Sequence, residues 1–91
     1  MQTLFELGQM VATPGALSAL EDSGQNPGDF LSRHIAGDWG DICPEDRGLN
    51  EVALAARARI LSVYTLKTGV KVWIITEADR ASTCILLPSE Y

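Results

Sequence analysis

The residues best suited to chemistry lie close together. His34, Asp38, Trp39, Asp41, Cys43, Glu45 and Asp46 fall within 13 positions of one another. Asp38, Asp41, Glu45 and Asp46 offer the hard oxygen ligands that a cation such as magnesium takes, whereas His34 and Cys43 suit zinc. Neither set has the spacing of a known ion site. An EF-hand loop begun at Asp38 would need its closing glutamate where Leu49 stands. No Cys-x-x-Cys pair occurs. The same residues also have a structural reading. Asp38 and Asp41 are turn formers beside glycines, Glu45 and Asp46 favour a helix N-terminus, and Trp39 plugs the loop onto the core.

His34 is the sole histidine, so any conventional acid–base or triad mechanism must use it. Paired with Cys43 it would make a thiol nucleophile and its base, and a helix N-terminus at Cys43 would lower the thiol pKa. Alternatively, Cys43 is a small residue at a helix cap before Pro44. His34 is then a helix residue with its ring partly exposed near Trp39. A second charged group, Glu77-Ala78-Asp79-Arg80, either presents Arg80 to an anion or a partner carboxylate, or is a solvated turn in which Asp79 accepts local backbone hydrogen bonds. No phosphate-binding loop, dinucleotide fingerprint or nucleophile elbow is present.

These groups must be positioned by elements that the pattern marks unevenly. Residues 3–12 fit a helix about as well as a strand, and Gly8 weakens either. Thr13-Pro14 and Asn26-Pro27 each read as an N-cap with proline at the first helical position. The first helix would carry Leu17 and Leu20 and stop near Gly24. The second pairs Phe30 with His34 and Leu31 with Ile35, and stops at Gly37. A third opens after Cys43-Pro44, with an apolar face of Leu49, Val52, Ala53 and Ala56 whose alanines imply close packing against another element.

From residue 60 the composition becomes β-branched. Strands are expected over 60–66, 70–76 and 82–87, with a hairpin loop at Lys67-Thr68-Gly69 and a stop at Pro88. Pairing Leu66 with Val70 sets Tyr64 opposite Val72, Ser62 opposite Ile74 and Ile60 opposite Thr76 on one face. Thr65 with Lys71, Val63 with Trp73 and Leu61 with Ile75 take the other. Both faces are apolar, so helices cover one. The other needs the N-terminal segment or a second copy of the chain, which points to a homodimer through the sheet.

The expected fold is therefore α+β, with two or three short N-terminal helices packed on a C-terminal three-stranded antiparallel β-meander. The 91 residues make a single domain, 1–91, its helical half about 13–57 and its meander about 59–87. A hydrophobic fraction of 46% against 21% charged is that of a folded chain. No apolar run approaches the length of a membrane span. The first residues lack the basic-then-apolar pattern of a secretory leader. With two cysteines only, a cytoplasmic setting with both thiols reduced is expected. The net charge of −5 and scattered bases disfavour direct binding to nucleic acid.

Three stretches, HIAGDWGDICPED (34–46), VWIITEADR (72–80) and ILLPSEY (85–91), together with the opening TLFELG, resemble a family of small bacterial plasmid-related proteins. Members are encoded on plasmids and integrated mobile elements, some near antirestriction genes. The resemblance favours a non-enzymatic accessory protein of a mobile element that acts by binding another protein, and carries over no cofactor or catalytic residues; no cofactor is expected. Candidate contact residues, read from the two charged or glycine-rich turns because loops on a rigid scaffold commonly carry binding, are Asp38, Trp39, Asp41, Glu77 and Arg80. A DNA-mimicking antirestriction role would need a denser array of carboxylates than this chain has. The alternative is a small metal- or thiol-dependent hydrolase centred on His34, Asp38, Asp41, Cys43, Glu45 and Asp46.

Overall fold

A computed structural model describes residues 3–91. Met1 and Gln2, on which the expectations about a secretory leader and the domain 1–91 partly fall, lie outside them. The elements run β1 (Gln9–Ala12), α1 (Pro14–Ser23), α2 (Pro27–Ile35), α3 (Pro44–Ala56), β2 (Ile60–Thr65), β3 (Lys71–Thr76) and β4 (Ser82–Leu86), then a 3₁₀ turn over Pro88–Glu90. The fold is α+β: three helices and one mixed four-stranded sheet of order β1-β4-β3-β2.

Helix starts follow the local chemistry. Thr13 caps α1, its hydroxyl oxygen accepting from the Ala16 N–H at 3.1 Å, with Pro14 following. At α2 the Asp29 carboxylate reaches back to the Asn26 N–H at 3.2 Å. The β2–β3 register is the one counted from Leu66 and Val70, residue for residue from Ile60↔Thr76 to Thr65↔Lys71. Leu66 N–H donates to the Val70 carbonyl at 2.8 Å to close the hairpin.

The expected three-stranded meander is incomplete, because residues 9–12 add a fourth strand, parallel to β4. Gln9 N–H donates to Ala81 O at 2.9 Å, and Thr13 N–H to Ile85 O at 3.0 Å. Gly8 makes this approach possible. Its φ is 64°, and a Cβ there would overlap the Ala81 backbone. At the opposite edge, Gly40 (φ 74°) brings residues 39–41 alongside β2. Val63 N–H donates to Trp39 O at 3.0 Å and Asp41 N–H to Val63 O at 2.7 Å. The Asn50 side chain then clasps the neighbouring edge position. Its Nδ2 donates to Leu61 O at 2.7 Å, and its Oδ1 accepts from Leu61 N–H at 3.1 Å.

The inner face of the sheet packs Tyr64, Leu66, Val72, Ile74 and Ile85 against Ala16 and Leu20 of α1 and Phe30 of α2. A second cluster of Trp39, Ile42, Ala53 and Ile60, with Phe5, Leu54 and Val63 beside it, seats α3. The outer face carries Leu61, Val63, Trp73, Ile75, Cys84 and Leu86. Ile75 and Leu86 are buried within the single chain, while Trp73 is only half-buried. The Tyr91 ring meets Trp73 edge-on at 5.5 Å.

One expectation is inverted. Of the four residues read as the apolar face of α3, only Ala53 is buried. Leu49 and Val52 are 65% and 64% exposed, and Ala56 is exposed too. The helix faces the core through Asn50, Ala53 and Leu54 instead. Periodicity shows which residues share a face but not where that face points.

Candidate functional site

The acids of residues 38–46 do not converge. Asp38 Oδ2 accepts from Arg33 Nε at 2.7 Å, and its Oδ1 from Gly40 N–H at 3.2 Å. Its carboxyl is held below the usual range chiefly by the hydrogen bond from Arg33. Asp41 Oδ2 accepts from the Thr65 hydroxyl at 2.7 Å, pinning the loop to β2. Glu45 and Asp46 occupy the first turn of α3, favourably placed against its dipole. Cys43 is exposed at the N-cap of that helix. Among the described residues no three His, Cys, Asp or Glu side chains gather to hold a metal ion. Trp39 is 1% exposed and its indole N–H donates to Glu51 Oε2 at 3.1 Å. It is a plug under the loop, with no surface to offer a partner, which removes it from the expected contact set.

His34 is fully buried, contrary to the partly exposed ring expected, although it does lie beside Trp39 at a centroid distance of 5.9 Å. Its Nδ1 is 2.5 Å from Ser62 Oγ and its Nε2 is 2.9 Å from Thr76 Oγ1. Thr76 Oγ1 lies 2.8 Å from Thr83 Oγ1, and the Thr83 hydroxyl donates to Leu7 O at 2.7 Å. One hydroxyl has one proton, so the chain has a single direction. With Thr83 committed to Leu7, Thr76 must donate to Thr83. Thr76 then accepts from His34 Nε2–H, and Nδ1 accepts from Ser62. The ring is the neutral Nε2–H tautomer.

Burial, reinforced by the Arg80 cation, pushes the His34 pKa down to about 4. Both nitrogens are engaged, so none is left to activate Cys43. This histidine ties three elements together and has no opening to a substrate.

Arg80 was expected at the surface of its turn. It is 6% exposed, with φ at 60°. Its Nη1 donates to Ala58 O at 2.6 Å and Glu77 O at 3.1 Å, and its Nη2 to Ala53 O at 3.0 Å. The guanidinium caps carbonyls at the C-terminal end of α3, where the helix dipole favours a cation. A partner carboxylate has no access to it. Asp79 does accept locally, from Ala81 N–H at 2.9 Å, as the solvated-turn reading has it. Glu77 is half-exposed and bridges to Arg59 Nη2 at 3.2 Å.

That bridge borders a feature the motifs did not mark. On the outer sheet face an apolar cavity of about 290 Å³ is lined by Arg59, Leu61, Trp73, Ile75 and Tyr91. Arg59 also donates to the Tyr91 hydroxyl at 3.1 Å, so one guanidinium holds the rim on both sides. Leu61, Trp73 and Ile75 were legible as a second apolar sheet face. Arg59 and Tyr91 come from outside the strands, and no local pattern connects them. Comparison of the chain with protein-family models, curated proteins and solved structures finds no match.

Proposed function

We propose that this chain is a non-enzymatic interaction domain that binds a partner protein through the outer face of its sheet, as an accessory protein of a bacterial mobile element. The observation that carries the reading is the cavity on that face. It has an apolar floor with a half-buried tryptophan, and an arginine and a tyrosine at its rim. Aromatic and arginine residues around a desolvating pocket are the usual anchors of protein recognition. The resemblance to plasmid-related proteins supplies the setting. The polar groups support the same choice, because His34 and Arg80 are consumed by the fold and the acids of 38–46 are engaged locally or spread apart.

The test is affinity capture from cells carrying the parent element. Wild-type protein is compared with Trp73→Ala and with the double variant Asp38→Ala/Asp41→Ala. One stoichiometric partner is expected, lost with Trp73→Ala and kept by the loop variant. Retention by Trp73→Ala and loss by the loop variant would move the contact to the turns and overturn the assignment. Calorimetric titration with magnesium, manganese and zinc is expected to give no binding heat. Saturable binding would restore the metal-dependent hydrolase.

A further inference from the structure

The two outermost strands of the sheet differ. Along β2 the backbone is met by residues 39–41 and by Asn50, whereas β1 lies at the other end of the strand order. The N–H groups of Gln9 and Thr13 turn inward to β4. By alternation the N–H and carbonyl groups of Met10 and Ala12 point away from the sheet, and among the described residues they take no backbone partner. Gln9, Met10 and Val11 are exposed. Native edges are usually guarded by a charge, a proline or a bulge. Here residues 7–20 are the longest run of the chain without a charge, and Pro14 stands beyond the strand rather than in it.

Two features identify what pairs there. The chain carries a net charge of −5, so two copies repel least where neither presents a charged side chain. β1 and its neighbour β4 have none. Val11 also ends an apolar row. Across the outer face Leu61 neighbours Ile75, Ile75 neighbours Cys84, and Cys84 neighbours Val11, which is 44% exposed at the edge. The same strand, turned end for end about Val11, continues that row. We infer that β1 is a homodimer contact, pairing antiparallel with β1 of a second copy about a two-fold axis at Val11. Met10 then exchanges both backbone hydrogen bonds with Ala12 of the second copy, and Ala12 with its Met10. The two Val11 side chains meet on the outer face. The next pair would set Gly8 against Pro14, which has no N–H, so the ladder ends there. One sheet runs through both copies, and their apolar outer faces lie side by side.

A strand of four residues spans about 13 Å. One such pair buries well below the ~1,600 Å² of a standard interface, so the dimer is weak, with a dissociation constant on the order of 100 µM. This edge contact does not depend on a partner protein at the sheet face, and either can fail without the other.

Sedimentation equilibrium of the full chain from about 10 µM to 1 mM tests it. A reversible monomer–dimer equilibrium is expected, and the Met10 and Ala12 amides should exchange more slowly as the dimer fills. Val11→Lys and Val11→Glu, at an exposed position, should leave the circular dichroism of the chain unchanged. Each alone places like charges opposite one another and should weaken association at least about tenfold. An equimolar mixture of the two should associate again. A monomer throughout the range overturns the inference and leaves the edge to an extended peptide. So does a dimer in which the Met10 and Ala12 amides stay unprotected, or one abolished by Trp73→Ala, which would put the contact face to face. Variants that remain monomeric when mixed overturn the two-fold at Val11.

Discussion

His34 shows what a single side chain does when its environment fixes every proton. Its folded-state pKa of about 4 lies below the ordinary 6.5, so folding favours the neutral ring. The unfolded chain therefore binds more protons between those values, and stability rises with pH there. The contribution is complete above about pH 6.5 and is lost as pH falls toward 4, a change of about 3 kcal/mol. Urea unfolding at pH 7 and pH 5 should show the decline, and a His34→Gln variant should show a flatter pH profile. Arg80 is a parallel case. Arg80→Ala leaves carbonyls of Ala53 and Ala58 without their donor and should cost about 2–3 kcal/mol. Arg80→Lys should recover only part of this, since a single ammonium does not reproduce the fork. Neither role was legible. Residue type marked both as chemically capable, but Ser62 and Thr76 lie 28 and 42 positions from His34, and Ala53 lies 27 from Arg80. Only the assembled chain shows that their capacity is spent.

At the scale of elements, what could be read was what is local. The β2–β3 register follows from one hairpin loop and alternation, and the three helix starts follow from Thr13-Pro14, Asn26-Pro27 and Cys43-Pro44. The parallel strand β1 was ambiguous because four residues after a glycine carry little pattern, and their partner lies more than 70 positions away. The strand-like run at 39–41 was hidden among glycines taken for irregular loop. Gly40 is its key, and Gly40→Ala should cost more than about 2 kcal/mol, because a Cβ would strike the Val63 carbonyl at a left-handed φ. Chemical denaturation measures the loss. Hydrogen exchange should localise it to the Val63 and Asp41 amides.

For the molecule as a whole, the sheet divides two kinds of apolar surface. The inner one is sealed by α1 and α2, while the outer is covered only in part by Tyr91 and the 3₁₀ turn. The two tryptophans report on different compartments, Trp39 sealed and Trp73 on the open side. Acrylamide should therefore quench the emission of a Trp39→Phe variant more strongly than that of Trp73→Phe. Occupation of the outer face should protect the first and leave the second unchanged.

The Asn50 clasp and the short 39–41 ribbon have a consequence for how such chains can accumulate. A pleated sheet elongates only where a strand still offers its backbone sideways, and here β2 is already spoken for by groups from the same chain. Sheets that can accept a neighbour on one flank alone meet in pairs and stop, so endless stacking into fibres is blocked by geometry rather than by charge. Asn50→Ala reopens the flank. A concentrated solution of that variant should develop thioflavin-positive filaments under conditions where the parent protein stays clear.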